Sequence, residues 1–254
     1  MNPPPYLWVY VLFVCLAIAL LMLLGIAAAL KSAGKTDAQI RHRVQSAALL
    51  LFGWMAAALI LGGLGLFRSE AAQTFPFIAI AIAILLPIFA GAVLIRRSAA
   101  VSEILHAVPQ SWLVGVQGYR GFGAIFLVLL GMGYLPEVFA LPAGFGDVLV
   151  GLGALLVAGA YAAGYAQRRG LVRLWNILGI ADLAVAVGTG FLSSPTPLQM
   201  LAFDHPNVIA GAFPLVMIPI FAVPLSIVLH IASLTKLARE RRSDLRAAAV
   251  PAGG

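Results

Sequence analysis

The sequence predicts an all-α protein: a polytopic membrane protein with seven transmembrane helices in a single domain. The first observation is composition, since 62% of the 254 residues are hydrophobic and 10% are charged, against roughly 45–50% and about 25% in soluble domains. The mean hydropathy is +1.03. The second observation is that apolar runs recur along the chain, each close to the ~20 residues that a helix needs to cross a bilayer. The third is that basic residues fall in short patches between these runs.

The apolar runs define the predicted spans and the parts of the domain. The spans cover residues 6–30, 46–67, 75–95, 112–133, 145–166, 172–191 and 209–234. The first run is too long for a signal peptide and no Lys or Arg precedes Lys31, so we interpret it as a retained helix. Within the domain, residues 1–95 form an apolar scaffold, residues 112–235 carry the intramembrane polar residues, and residues 236–254 form a basic cytoplasmic tail.

Orientation follows from the positions of lysine and arginine, because positively charged loops are retained on the cytoplasmic side. Of the sixteen lysines and arginines, only Arg68 and the intramembrane Arg120 lie outside one set of alternate segments. The cations of that set are Lys31, Lys35, Arg41, Arg43, Arg96, Arg97, Arg168, Arg169, Arg173, Lys236, Arg239, Arg241, Arg242 and Arg246. The predicted topology has the N-terminus outside and the C-terminus inside.

Three segments differ from simple spans or loops. Residues 98–110 place Val101, Ile104, Leu105 and Val108 on one helical face, which predicts a short helix at the inner interface. Residues 134–147 are apolar but interrupted by prolines, and we interpret them as an outer loop, with a re-entrant segment as the alternative. The seventh span contains Pro214, Pro219 and Pro224, which predict kinks.

Charged, amide and histidine side chains inside the predicted spans are confined to the second half of the chain. Spans one to three contain no Asp, Glu, His, Lys or Arg, and Cys15 is their single cysteine. Spans four to seven contain Gln117, Arg120, Asp147, Asn176, Asp182 and His230. Because intramembrane ionisable residues are costly, they mark functional sites by default, and we take these residues as candidates for binding a substrate or ion.

Depth along the helices predicts which of these residues meet. Counting from Trp112 and Val172 at 1.5 Å per residue, Arg120 lies about 12 Å and Asp182 about 15 Å from the inner boundary. An unpaired charge near the bilayer centre costs about 2.5–3.5 kcal/mol on the insertion scale. We therefore expect Arg120 and Asp182 to form an ion pair.

The remaining candidates fall on either side of that pair. Gln117, Asn176 and His230 lie about 6–9 Å from the inner boundary, which predicts a solvated polar track from the cytoplasm to mid-membrane. Asp147 falls near the outer boundary together with Glu137, which predicts an acidic outer mouth with Asp204 and His205 in the next outer loop. Glu137 is for this reason also a candidate binding residue.

An internal similarity relates spans five and six. The segment "GFGDVLVGLG", residues 144–153, aligns with "GIADLAVAVG", residues 179–188, and the alignment pairs Asp147 with Asp182. The two helices run antiparallel, so the similarity suggests an inverted repeat of the kind found in transporters. Chance matching of small apolar residues is the alternative explanation.

Cofactor and nucleic-acid functions are not favoured by the sequence. Cys15 is the single cysteine, and no catalytic or nucleotide-binding motif is present. A haem held by two histidines requires both inside the bundle, and only His230 lies within a span. No metal site and no cofactor is predicted. The net charge of +7 comes from patches that set topology rather than from one continuous basic face, so no nucleic-acid partner is expected.

The sequence leaves three functional hypotheses. The first is a small carrier or ion-coupled transport protein with a mid-membrane Arg120–Asp182 site. The second is a structural or assembly protein in which this pair only specifies packing. The third, an intramembrane enzyme or cofactor-binding subunit, is favoured less. The expected location is a bacterial plasma (inner) membrane, and the expected partners are the lipid bilayer, a small molecule or ion, and another protein or further copies of this chain.

Overall fold

The computed structural model describes residues 3–68, 75–164 and 169–249 of the chain. These residues form helices and no strands, and seven helical segments are long and apolar enough to cross a membrane. The seven are Tyr6–Ser32, Asp37–Gly63, Phe75–Arg97, Gln110–Gly131, Glu137–Ala162, Arg169–Ser193 and Ile218–Arg246. The all-helical prediction and the number of potential spans are confirmed.

The first three spans are continuous helices: α1 (Tyr6–Ser32), α2 (Asp37–Gly63) and α3 (Phe75–Arg97). A capping box begins α2, because the Thr36 side chain accepts a hydrogen bond from the Gln39 amide and the Gln39 side chain accepts one from the Thr36 amide. The short helix expected after α3 is present as α4 (Ala99–Ala107), which is capped by the Ser98 side chain. Its predicted apolar face packs inward, and Leu105 is buried.

The fourth span changes helical type in its middle. It begins as α5 (Gln110–Gly115), continues as a 3₁₀ segment (Val116–Ala124) and ends as α6 (Ile125–Gly131). A 3₁₀ run of this length is uncommon and typically marks a hinge or a strained sequence. Arg120 lies in the 3₁₀ segment.

The fifth span corrects the predicted outer loop. Residues 137–147 belong to α7 (Glu137–Ala162), which begins directly after Pro136 and contains Pro142 in its second turn. The hydrogen bond lost at Pro142 is offset by packing, because Phe139, Ala140 and Ala143 bury one face of this part of the helix. Asp147 therefore lies about 15 Å along the helix rather than at its outer end.

The sixth span is α8 (Arg169–Ser193), and the seventh begins later than predicted. Residues 194–216 are irregular apart from a 3₁₀ turn (Ile209–Gly211). A π-helical segment (Ile218–Ala222) then leads into α9 (Val223–Ala249). Of the three prolines expected to kink this span, Pro214 lies before the helix, Pro219 lies in the π-helical segment and Pro224 lies in the first turn of α9. The predicted helical start at residue 209 is wrong, because the long helix begins only after Pro214, which cannot donate a backbone hydrogen bond.

Polar contacts gather many of the predicted inner cations at one end of the bundle, called here the cationic end. Lys35 and Arg43 both pair with Glu103 of α4. Arg239 of α9 donates to the Ser102 hydroxyl and to the Ile95 carbonyl. Arg169 pairs with Asp244. Arg168 lies outside the described residues.

Candidate functional site: a buried charged triad

A charged triad lies in the middle of the bundle and consists of Arg120, Asp147 and Asp182. The Arg120 Nε donates to Asp147 Oδ1 at 2.8 Å, and Nη2 lies 2.7 Å from the same oxygen. Nη2 also donates to Asp182 Oδ2, and Nη1 donates to the Gly179 carbonyl at 3.2 Å. The Arg120 side chain is 1% exposed. The predicted pairing with Asp182 is confirmed, and Asp147 is a second partner.

The position of Asp147 corrects the predicted acidic outer mouth. Because α7 begins at Glu137, Asp147 lies in the interior beside Arg120, whereas Glu137 is exposed at the start of the helix. The structure does not bring Glu137 to the triad. The internal sequence similarity could have indicated this position, since it aligns Asp147 with Asp182. In the structure the two carboxylates contact the same guanidinium.

Small residues allow the acids to come close to the neighbouring helices. A Cβ atom added at Gly123 would overlap the carboxylate of Asp147, and one added at Gly146 would overlap that of Asp182. Each acid therefore packs against a glycine of an adjacent helix or helical segment. Close backbone approach of this kind is what small residues provide in membrane helices.

The triad has more acid than base. One guanidinium carries one positive charge, so the set has a net charge of −1 when both carboxyls are ionised. Arg120 binds Oδ1 of Asp147 and Oδ2 of Asp182. The other oxygen of each carboxyl group is not bonded to Arg120. The acids are partly exposed, at 15% and 16% of their side-chain surface. Both acids thus keep an oxygen that can take a proton.

Two tyrosines that the sequence analysis did not select hold the 3₁₀ segment in place. The Tyr119 hydroxyl lies 3.3 Å from the Ala222 carbonyl, to which it donates, and also contacts the Ser226 hydroxyl. The Tyr10 hydroxyl of α1 donates to the Phe122 carbonyl. The 3₁₀ segment is thereby linked to the π-helical segment and to α1. Single tyrosines in apolar spans have no spacing pattern that would have identified them.

A second buried group, called here the polar layer, lies between the triad and the cationic end. The Asn176 amide donates to the Val172 carbonyl at 2.7 Å and to the Ser233 hydroxyl at 2.9 Å, and its oxygen accepts from His230 Nδ1 at 2.9 Å. Gln110 donates to Ser233 at 2.5 Å, and Gln117 donates to the Ser226 carbonyl at 2.9 Å. The polar layer consists of Gln110, Gln117, Asn176, Ser226, His230 and Ser233.

The polar layer is sealed rather than open to water. Gln117, Asn176 and His230 are predicted to line a solvated track, but none of them has any exposed surface. They satisfy much of their hydrogen bonding with one another and with backbone carbonyls, which is how buried polar groups avoid the cost of desolvation. The predicted residues are brought together, while the predicted open path is wrong for this structure.

His230 connects the polar layer to the triad. Its Nδ1 donates to Asn176, and its Nε2 is buried without a hydrogen-bond partner among the described residues. A Cβ atom added at Gly179 would lie 2.5 Å from His230 Nε2 and 3.4 Å from Arg120 Nη1. The unpartnered nitrogen therefore lies against the same glycine as the guanidinium.

Two cavities border the triad at Asp147. One has a volume of about 70 Å³ and extends from Asp147 past Ala186 to Ser194 and Asn207, at the end of the bundle opposite the cationic end. The other has a volume of about 50 Å³ and is lined by Tyr10, Tyr119, Arg120 and Asp147. Each is large enough for several water molecules, since one water needs about 10–15 Å³ by this measure.

Asn207 is a further polar group in the first cavity that the sequence analysis did not select. Its side chain is buried, and neither its amide nitrogen nor its amide oxygen has a partner among the described residues. A buried amide without partners is unusual, and this one borders the first cavity. No set of three or more His, Cys, Asp or Glu side chains among the described residues is placed to hold a metal ion.

Comparison with known proteins gives a family but no named activity. The family model described as "Domain of unknown function (DUF8737)" matches residues 77–238. The chain belongs to this family. The matched region runs from α3 into α9 and includes the whole charged triad and the polar layer. No curated protein and no solved structure matches the chain.

Proposed function

We propose that the protein is a multi-pass membrane protein of the bacterial plasma membrane with its N-terminus outside and its cationic end in the cytoplasm. The seven apolar helices and the bias of lysine and arginine support this topology. The tests are single cysteines, Ser194→Cys and Ser243→Cys, each in a Cys15→Ala background. An impermeant thiol reagent added outside intact cells should label only Ser194→Cys. Labelling of both positions would contradict the topology.

Within that topology, the function that the geometry supports best is proton-coupled transport of a small polar solute. The observation that carries this proposal is a buried guanidinium shared by two carboxylates. Its net charge of −1 is costly in the membrane interior, and uptake of one proton neutralises it. Proton coupling requires a site of this kind, which changes from a charged to a neutral form when it gains one proton.

The helices around the triad supply a means of movement. Arg120 lies in the 3₁₀ segment, and Tyr119 joins this segment to the π-helical segment. Interrupted helices line the mid-membrane sites of many secondary transporters, where they shift between two arrangements. We assign these two segments as the moving parts of the carrier.

The cavities and the polar layer fit the two sides of an alternating-access cycle. The cavity that joins Asp147 to Asn207 opens the triad toward the outside, and the Asn207 amide offers a donor and an acceptor to a solute. The polar layer closes the cytoplasmic side. In the other half of the cycle, the hydrogen bonds of the polar layer would separate and His230 would pass the proton inward.

The test follows accessibility on both sides of the triad in a Cys15→Ala background. Ala186→Cys reports on the outer cavity in intact cells, and Ser233→Cys reports on the polar layer in inverted vesicles. Acidification of the outer medium should raise labelling of Ser233→Cys, and it should lower labelling of Ala186→Cys by a hydrophilic thiol reagent more than the loss of thiolate in acid alone lowers it. The exposed Ser243→Cys should not respond.

The matched control is the same pair of reporters with Asp147→Asn, which removes the excess carboxylate and should leave only the pH response that loss of thiolate explains. Labelling that shows no further pH response in the parent protein would contradict transport. It would favour an assembly protein in which the triad is a fixed packing element.

A further inference from the structure

A third cavity, separate from the triad, lies in the half of the bundle near the cationic end. Its volume is about 400 Å³, which is within the range of about 300–1,000 Å³ typical of small-molecule sites. It is enclosed by α1, α2, α3, α4, α5 and α9, and its walls are aliphatic and aromatic side chains such as Met22, Trp54 and Trp112. This lining suits a hydrocarbon chain and offers almost nothing to a polar solute.

The cavity opens sideways between α2 and α3. Leu50 of α2 and Leu86 of α3 both line it, yet they remain 59% and 61% exposed on the outer surface of the bundle. Trp112 reaches the interior of the cavity because Gly25 has no side chain, and a Cβ atom there would overlap the indole ring. If the helices span a bilayer, the opening faces the lipid chains directly.

Cations surround the end of the cavity nearest the cytoplasm. The lining residues Leu94 and Ile95 are followed directly by Arg96 and Arg97, which are exposed. The neighbouring helix α4 covers this end, and it is attached by Lys35, Arg43, Lys236 and Arg239. Glu103 is the acid that faces Lys35 and Arg43, so positive charge is in excess at this rim.

We propose that this cavity binds one acyl chain of an anionic glycerophospholipid from the inner leaflet, with the headgroup phosphate held by Arg96 and Arg97. The chain enters between α2 and α3 and lies against Trp54 and Trp112. Basic residues at the cytoplasmic surface attract anionic headgroups. The site rests on the proposed topology, with the cationic end in the cytoplasm, and it does not depend on transport at the triad.

The experiment is native mass spectrometry of delipidated protein titrated with phosphatidylglycerol or phosphatidylcholine. One phosphatidylglycerol should bind in preference to phosphatidylcholine. Arg96→Gln with Arg97→Gln should weaken phosphatidylglycerol binding about 30-fold, or about 2 kcal/mol, from the expected ~1 kcal/mol per basic residue. Arg241→Gln with Arg242→Gln removes the same charge from α9 instead of from the end of α3, and it should leave binding unchanged.

A cavity-filling pair tests the acyl-chain site. Ala47→Trp places an indole in the cavity from α2, and Leu49→Trp places one on the exposed face of the same helix. Ala47→Trp should abolish binding of the single lipid, and Leu49→Trp should retain it. Equal binding of both lipids, or equal binding by both variants, would overturn the proposal.

A fluorescence measurement keeps the test valid if Ala47→Trp does not fold. Phosphatidylglycerol with brominated acyl chains should quench tryptophan fluorescence in the parent protein. The quenching should be smaller in Trp54→Phe with Trp112→Phe, because these two rings line the cavity. Unchanged quenching in that variant would also overturn the proposal.

Discussion

The charged triad and the polar layer both draw on the fourth span and on α8, but they bury polar groups in opposite ways. The triad concentrates full charges and borders two cavities, and its acids keep partly exposed oxygens. The polar layer uses neutral amides, hydroxyls and one histidine, and its members are buried. Hydrogen bonds alone satisfy most of the polar layer, whereas the triad depends on opposite charge.

This difference indicates which of the two regions can change its protonation state. A neutral, mutually bonded cluster is stable in one arrangement and closes a path. A triad with unequal charges and adjacent water-sized space can gain a proton without being taken apart. Substitutions in the two regions should therefore differ in size and in their dependence on partners.

The largest effect is expected for Arg120→Met, which leaves two carboxylates facing each other in the interior. Loss of one partner from a buried ion pair costs about 3–5 kcal/mol. Arg120→Met with Asp182→Leu should recover little, because Asp147 still has no cation. Recovery should require Asp147→Leu as well. The measurement is thermal unfolding of each variant in detergent, followed by size-exclusion chromatography.

Equal stability of the double and the triple variant would contradict this expectation. That result would show that Asp147 does not depend on Arg120, and it would return the site to the simple pair predicted from sequence.

An intermediate effect is expected for Asn176→Leu in the polar layer. The substitution removes the acceptor of His230 Nδ1 and one donor to Ser233, and an unsatisfied buried polar group costs about 1–3 kcal/mol. Thr189→Val on the same helix is the matched control, since the Thr189 hydroxyl bonds only to carbonyls of α8. Thermal unfolding should show a clear loss for the first variant and little for the second.

The sequence predicted much of the fold because apolar length and periodicity decide where helices form. It also predicted the Arg120–Asp182 contact, because both residues lie at similar depth on long helices. It failed at Asp147, since the prolines near the start of α7 were taken as helix breaks while burial of Phe139 and Ala140 stabilises the helix. Depth was then counted from the wrong residue.

Side-chain contacts between distant helices were beyond the sequence analysis. Nothing in the pattern indicates that Tyr119 joins the two irregular segments, or that Asn207 faces a cavity. Depth alone predicted a track through Gln117, Asn176 and His230, but whether such residues meet water or one another depends on helix rotation. A single sequence does not specify that rotation.

A smaller effect is expected for Asp147→Asn and for Asp182→Asn, because each leaves one guanidinium with one carboxylate. We expect a loss of about 1 kcal/mol, typical of single substitutions. Asp147→Asn should be the more destabilising, since Asp147 lies close to two guanidinium nitrogens and Asp182 to one. Thermal unfolding compares the two with Arg120→Met. A loss as large as that of Arg120→Met would mean that the excess carboxylate is needed for folding.

The smallest effect is expected at the surface of the cationic end, where Glu103 pairs with Lys35 and Arg43. Hydrogen bonds from Lys35 and then from Arg43 lower the pKa of Glu103 below its ordinary value of 4.5. Because the folded pKa is the lower one, the stabilisation is complete above that ordinary value and is lost as the pH falls through the folded pKa. Solvent and salt screen such pairs, so the loss should be confined to acid and reduced by added salt.

The measurement compares thermal unfolding of the parent protein and Glu103→Gln between neutral pH and about pH 3, at low and high salt. The parent should be slightly more stable at neutral pH, and the two curves should converge in acid. Glu240→Gln, which removes the acid beside Lys236 at 3.5 Å, is the matched control for loss of one carboxylate at the same end. If the curves of Glu103→Gln and the parent instead stay parallel in acid, the ionised carboxylate of Glu103 is not what attaches α4, and the attachment rests on Lys236, Arg239 and the apolar face.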